Sequence, residues 1–337
     1  MLELIKELCA ENAPSGNEKA VRELIKKKIN KGKSDFYEDS IGNIIACHRG
    51  EKGKSSITFF ANMDEPSVII SRITEDGFLK FSPVGISDDA LFSKRFLIGE
   101  NNALGIVCGK TWHLSTDAQR ENQPTADELF IDIGAKNQED AEQYVSLGES
   151  GVFFQEFAEL SPHIITSKAL ESRICCAALI SLLNNSSPYE FHCAFTACEI
   201  VGNLGSHIAA NELAPDYGVI FVSSPANDTP LASENNFYSK LDGGVILSVS
   251  DNRMMYDKKL VKLVTSTAAN NYVPHQLKDK SLDLKQANSI ISSGSGVKVC
   301  TLGIPTRYMG TPSPAASLND IKNAVELAEH LVLELNQ

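Results

Sequence analysis

The stretch Ser56-Ile57-Thr58-Phe59-Phe60-Ala61-Asn62-Met63-Asp64-Glu65-Pro66 decides the fold. Its first half is a continuous apolar run, the pattern of a strand buried on both faces of a parallel sheet. Its second half turns abruptly polar. In open α/β sheets ligands bind beyond the carboxyl ends of the strands, so the same stretch also marks a place for chemistry.

Upstream, residues 1–11 read as an amphipathic helix, broken by Ala13-Pro14-Ser15-Gly16-Asn17-Glu18. Ser15 and Glu18 have capping-box spacing for a second helix from Glu18 to about Asn30, with Val21, Leu24, Ile25 and Ile29 on one stripe. Phe36 to His48 reads as a hairpin turning at Ile41-Gly42-Asn43.

Downstream, the texture changes between 67 and 163. Short strand candidates (Val68–Ile73, Leu79–Phe81, Ala103–Cys108, Gly151–Phe157) alternate with Gly, Asp and Asn turns, and Leu114–Leu129 is polar and loop-like. Such spacing predicts a small all-β unit. Strand–helix alternation then resumes. Helices are expected over Lys168–Asn184, from Gly205 to Asn211, over Asp257–Asn270 and over Asp320–Leu335, the last with Ser317 as N-cap. Strands are expected over Tyr189–Ala197, Asp216–Ser223 and Lys298–Gly303. The fold class is therefore α/β: a doubly wound, mostly parallel sheet with an inserted small all-β domain. The α/β domain takes 1–66 and 164–337, and the insertion takes 67–163.

Length and composition agree. A chain of 337 residues gives roughly two domains at ~150 residues each. The net charge of −12 argues against nucleic acid and anionic membrane as partners, since both select a basic surface. No run reaches the ~18–20 apolar residues of a membrane span. The N-terminal helix carries Glu3 and Glu7, unlike the basic start of a signal peptide. The cysteines form no CxxC pair and sit mostly in apolar runs, as in Ile174-Cys175-Cys176-Ala177. That is the usage of reduced thiols in a cytoplasmic protein.

The segments after the strands are Asn62-Met63-Asp64-Glu65, Cys198-Glu199-Ile200, Ser223 to Pro230 and Pro305 to Pro312, with Leu170-Glu171-Ser172-Arg173 at a helix entrance. Three constellations are chemically legal on residue type alone. Cys175, Cys176, Cys193 and Cys198 could hold a soft metal, but core thiols are the simpler reading. Cys198 and His207 could form a nucleophile pair. Glu171 and Glu199 could be a glycosidase acid/base pair, although Trp112 is the lone tryptophan for a sugar platform. Ser293-Gly294-Ser295-Gly296 reads as a turn, and Lys26-Lys27-Lys28 as a solvated helix face.

Together these segments resemble the tetrahedral glutamyl and deblocking aminopeptidases, a family also labelled cellulase M. The resemblance runs from Ala13–Glu18 through Ser40-Ile41-Gly42-Asn43, Ala61–Glu65 and Leu129-Phe130-Ile131-Asp132-Ile133-Gly134-Ala135 to Asn227-Asp228-Thr229-Pro230 and Pro305-Thr306-Arg307-Tyr308. It implies a zinc-exopeptidase-like α/β fold, with the inserted domain a β-barrel-like unit mediating dimerisation. It also implies a twelve-subunit tetrahedral shell, and a peptidase reaction on two divalent metals, zinc or cobalt. These would be held by two histidines and three carboxylates, with a separate glutamate as general base.

The positions matching that ligand set carry Asn62, Glu171, Ile200, Val222 and Gly310 in this chain, and Ser172 follows Glu171. Val, Ile and Gly offer no donor, and neutral Asn is a poor ligand for zinc or cobalt. The glycine-rich loop before the last central strand has become Leu284-Lys285-Gln286-Ala287-Asn288. Glu199 matches the base, and Asp64 the residue orienting the first ligand. The chain is thus expected to be an impaired or inactive homologue with no metal cofactor and a binding or assembly role. The expected partners are a peptide ligand, further copies of itself from a dimer up to the dodecamer, or an active paralogue. The alternative is an active aminopeptidase with an altered zinc or cobalt site.

Overall fold

A computed structural model describes residues 1–110, 124–230, 239–250, 255–278 and 285–336. Trp112 and most of Leu114–Leu129 lie outside the described residues. The chain opens with helices α1 (Leu2–Ala10) and α2 (Lys19–Lys28) and strands β1 (Ser34–Glu38), β2 (Ile44–His48) and β3 (Ile57–Asn62). Next come β4 (Ser67–Ile73), β5 (Leu79–Val84), β6 (Arg95–Ile98), β7 (Ala103–Cys108), β8 (Phe130–Asp132), a single helical turn α3 (Gln138–Ala141) and β9 (Ser150–Phe153). The third section holds β10 (Ala158–Ser161), β11 (Ile164–Thr166), α4 (Leu170–Asn184), β12 (Phe191–Thr196), α5 (Leu204–Leu213) and β13 (Tyr217–Pro225). The last holds β14 (Val245–Ser248), α6 (Lys258–Asn270), β15 (His275–Lys278), α7 (Lys285–Ile291), β16 (Lys298–Arg307), β17 (Ala315–Ser317) and α8 (Leu318–Glu334).

The large sheet has the order β1-β2-β12-β3-β13-β16-β17-β11-β10, with β14 and β15 attached beside β16. Its centre, β12-β3-β13-β16, is parallel. Both flanks are antiparallel, so the sheet is mixed where a mostly parallel one was expected. The reason is connection length: a short turn at Gly42 can return a strand only antiparallel, whereas parallel neighbours need a crossover helix.

Residues alternate between two cores. Phe59, Ala61, Cys193, Phe195, Val219, Phe221 and Leu302 face α1, α4 and α8. Phe60, Ala194, Ile220 and Val299 face α5 and α7. The central strands are therefore apolar on both sides, which is why they read as continuous apolar runs.

The inserted unit is a closed barrel, β4-β5-β8-β7-β6-β9, with its own core around Phe81, Phe96, Ile98, Ile131 and Phe153. Gly105 stands where a Cβ would lie 2.4 Å from Ile131, so the wall closes only around a bare backbone there. The barrel ends at Phe153, and β10 already belongs to the large sheet. This moves the expected boundary at 163 back by several residues, because Ala158–Ser161 finds its backbone partners on β11.

Three local expectations are corrected. Ser15 and Glu18 do not close a capping box: Ser15 Oγ donates to Asp64 Oδ2 at 2.6 Å, and Glu18 Oε1 accepts from the Gly16 and Cys198 amides. Ser15 is claimed by distant chain, and Glu18 is shared between the nearby Gly16 amide and the distant Cys198 amide. Residues 285–288, where the family resemblance implies a loop, begin α7, whose Ala287 and Ile290 are buried in the core of the sheet. Strands β6, β8, β14 and β15 lie where no strand was expected. They are only three or four residues long and gain their ladders from neighbours. Among the described residues no helix is long and apolar enough to cross a membrane.

The hairpin turn does form at Ile41-Gly42-Asn43. Asp39 Oδ1 accepts from all three amides, with Gly42 at φ +97°. Asn43 is fully buried and bridges the hairpin to the loop after β12, accepting from Ala197 N at 2.8 Å and donating to Gly205 O at 3.0 Å. Asn43→Ala leaves buried groups unpaired and should cost about 1–3 kcal/mol, read as a lower urea midpoint with an unchanged m-value.

Candidate functional site: a pocket at the carboxyl ends of the central strands

Asn62, Asp64, Glu171, Ile200, Val222 and Gly310 line one pocket of about 240 Å³. Gly85 and Phe153 of the barrel close it on one side, and Ser172 and Ser223 lie on the sheet side. The structure thus brings together the five positions read as replaced ligands, together with Asp64. Glu199 is not among the lining residues. It is buried behind the wall, where Oε1 accepts from Ser206 N at 2.6 Å and Oε2 from Ser206 Oγ at 3.0 Å. Burial, helped by the Asp64 charge, pushes its carboxyl up to about 8.

Each carboxylate near the pocket has distinct partners. Asp64 is buried, and its oxygens accept from Ser15 Oγ, from Ile200 N at 2.8 Å and from Asn62 Nδ2 at 3.1 Å. The Asn62 Nδ2 group is therefore committed to its neighbour. Glu65 is buried against two cations: Arg173 Nη2 stands 2.7 Å from Oε1, and Lys168 Nζ stands 3.1 Å from each oxygen. Its Oε1 also accepts from Ala13 N. Among the described residues Glu171 accepts one hydrogen bond, from Gly310 N at 2.7 Å. Burial raises its carboxyl to about 7, with the Gly310 bond opposing.

Three of the nine non-glycine residues with left-handed backbone among the described residues border the pocket. Ala169, Cys198 and Tyr308 are non-glycine residues at φ 54°, 55° and 57°, each in a turn bordering the pocket. Left-handed backbone in such residues costs roughly 1–3 kcal/mol and persists where the surroundings over-determine it. Here the surroundings are Glu18 on Cys198 N and Asp64 on Ile200 N.

Other expected constellations do not assemble. Cys175 and Cys176 point their thiols to the carbonyls of Glu171 and Asn62, and Cys193 is core. His207 Nδ1 engages Ser289 O and Ser293 Oγ on the α7 side, not Cys198. Glu171 faces the pocket while Glu199 faces Ser206, so they do not act as an acid/base pair across one cavity.

Sequence reading passed over Glu65, Lys168 and the role of Arg173. A signal was present: Arg173 is a cation inside a helix that is otherwise apolar almost all round, and a fully buried cation requires a partner. Two of the resembling motifs also meet. Arg307 forms a bidentate pair with Asp228, both contacts at 2.6 Å, tying Asn227–Pro230 to Pro305–Tyr308.

Comparison with known proteins agrees with this architecture. The family model for M42 glutamyl aminopeptidases matches residues 42–327, and the chain belongs to that family. A protein named as a candidate aminopeptidase from Acetivibrio thermocellus is 30% identical, with 97% of each chain covered. Among solved structures, the aminopeptidase APDkam598 from Desulfurococcus kamchatkensis superposes with a TM-score of 0.92 at 29% identity, covering 98% of this chain and 93% of its own. The TET1 peptidase of Pyrococcus horikoshii gives 0.85 at 29% identity, covering 98% of both.

Arg173→Met removes one of two cations from buried Glu65 and takes the side-chain donor from the Leu8 and Met63 carbonyls, while Glu11 O keeps Lys168. The expected loss is about 3–5 kcal/mol, measured by denaturant titration. The double variant with Glu65→Gln should recover part of that loss, since it no longer buries an under-compensated carboxylate.

Proposed function

We propose that this chain is a binding or assembly member of its family, taking the amino end of a short peptide in the pocket without two-metal hydrolysis. The observation that carries the reading is the donor set of the wall. Ile200, Val222 and Gly310 offer no ligand atom, Asn62 is turned onto Asp64, and Asp64 and Glu65 are committed to protein donors. Among the described residues Glu171 is the pocket carboxylate with the fewest donors, a single amide. Two divalent cations ~3.5–4 Å apart repel by roughly 15–20 kcal/mol at an effective dielectric near 20. On this reading one carboxyl does not offset that, so the residues do not fit a metal pair. Without such a pair, Glu199 has no activated water to deprotonate.

The pocket is smaller than the roughly 300–1,000 Å³ of drug-sized sites, which suits a single terminal residue. An ammonium group beside the Glu171 carboxylate supplies the charge match. The second reading rests on Glu199, kept at the base position with a raised carboxyl. It makes the chain an active aminopeptidase releasing N-terminal residues through an altered zinc or cobalt site.

Turnover on short peptides with added zinc or cobalt separates the two. The first reading expects nothing approaching an ordinary ~1 s⁻¹; turnover at that rate, lost in Glu171→Gln, establishes the second. Calorimetric binding of a short peptide supplies the positive test. Below about pH 7 the raised Glu171 carboxyl is neutral and loses its attraction for ammonium. Above roughly pH 8 the peptide's own amine is neutral. Affinity should therefore peak near pH 7.5. Glu171→Gln should weaken it at least about tenfold there, the worth of one charged hydrogen bond, and abolish the acidic limb.

The assembly part of the reading draws on relatives. The Pyrococcus horikoshii TET1 peptidase can assemble into a tetrahedron or a large octahedral shell. Ile69, Leu104 and Ile106 are exposed apolar side chains on barrel strands of this chain, which favours the barrel as a dimer surface. A relative solved as a dodecamer extends the reading to homo-oligomers of up to twelve copies, and an active paralogue is the other partner we propose for that surface. Light scattering should give a mass of at least two chains at micromolar concentration; a clean monomer contradicts it. A cytoplasmic setting fits the free state of all the cysteines.

A further inference from the structure

Away from the pocket, one group of metal-ligating side chains comes together among the described residues: Cys47, Glu190 and His192. One ligand atom from each lies within 4.8 Å of the other two. Cys47 stands directly opposite His192 across the antiparallel β2–β12 pair. Ile45 and Ala194, two residues from each along the strands, pack in the core beneath α5 and α7. Side chains alternate along a strand, so Cys47 and His192 share that face. Glu190, just before β12, joins them from the chain end, where its amide is held by Glu51 O. All three side chains are half-buried.

We infer that Cys47, Glu190 and His192 form a site for zinc or a similar borderline divalent cation, separate from the pocket. Thiolate, imidazole and carboxylate are the zinc donor set. Tetrahedral ligands about 2.0–2.3 Å from zinc stand roughly 3.3–3.8 Å apart, so closure asks only for side-chain movement of about an ångström. Three protein donors leave the fourth position to water. Binding forms an S–Zn bond at Cys47 and releases the thiol proton to solvent. Asp35, opposite Cys47 on its other side, is held by Arg49 and is not a donor.

The site lies at the other end of the parallel strands from the pocket. His192 pairs with Thr58, and Thr196 pairs with Asn62. Four residues of strand separate the two places, about 13 Å. A cation here clamps the antiparallel flank onto the parallel centre. It also registers in a metal assay without making the pocket catalytic, so metal content alone does not test the pocket.

Cobalt is the probe, because a cysteine thiolate on Co²⁺ gives a near-ultraviolet charge-transfer band that oxygen and nitrogen donors do not. Co²⁺ is titrated into the chelator-stripped full chain. The band should appear, saturate at one ion per chain and be displaced by Zn²⁺. Cys47→Ser should abolish it. Glu190→Gln, at a residue outside the strand, should weaken the affinity at least about tenfold; it is the second variant should Cys47→Ser fail to fold. Glu171→Gln, in the pocket, should leave the band intact. No band in the natural protein, a band surviving Cys47→Ser, or an affinity untouched by Glu190→Gln overturns the inference.

Discussion

Arg173 lies fully buried near the start of α4, and its guanidinium joins pieces of chain that no regular ladder connects. Nε donates to Leu8 O, Nη1 to Met63 O at 2.5 Å, and Nη2 to Glu11 O and Glu65. Leu8 O and Glu11 O lie at the carboxyl end of α1, where helical carbonyls lack intrahelical donors. Met63 and Glu65 form the turn leaving β3. One planar, permanently charged fork therefore fixes the N-terminal helix, the exit of the central strand and the helix that carries Glu171. Glu65 supplies the counter-charge, and Lys168 adds a second cation whose proton affinity is lowered by burial. Buried ion networks of this kind add little net stability but are costly to break, so the pocket floor has one arrangement.

From that floor the walls follow by polar contacts to backbone, not by apolar packing. Asp64 holds Ile200 N, Glu18 holds Cys198 N, Asn43 holds Ala197 N, and Glu171 holds Gly310 N. Each side chain satisfies an amide in a turn that would otherwise expose it. These contacts sit at and beside the left-handed residues Cys198 and Tyr308. They do not depend on what the facing side chains can coordinate. That independence explains how a pocket keeps the family backbone while Ile200, Val222 and Gly310 present no donor to it.

Much of the fold was legible because hydrophobic period is a local property. Ile57–Ala61 and the apolar run of α4 announce burial on all sides, and both lie in the main core. Ile41, Gly42 and Asn43 announce a turn by their own chemistry, and it forms, with Asp39 Oδ1 accepting from its amides. The errors share a cause. Ser15 and Glu18 have the spacing of a helix cap, but Asp64 and Cys198 compete for them from 49 and 180 residues away. The start of α7 falls where the family resemblance implies a loop, yet α5 offers Ala287 and Ile290 a surface to bury against. Strands of three or four residues, such as β8 and β14, are made by their neighbours' ladders.

Sequence by itself determined the α/β class, the inserted β unit, the family and the residue types available at the strand ends, because periodicity and side-chain donor chemistry are written residue by residue. Tertiary structure decided how those residues are grouped and partnered. It placed Asn62, Asp64, Glu171, Ile200, Val222 and Gly310 around one cavity and set Glu199 behind its wall. It also committed Asp64 and Glu65 to several protein donors, while Glu171 accepts from a single amide among the described residues. Whether a carboxylate is free depends on what folding brings within about 3 Å of it, and that distance is set by chain segments far apart in sequence.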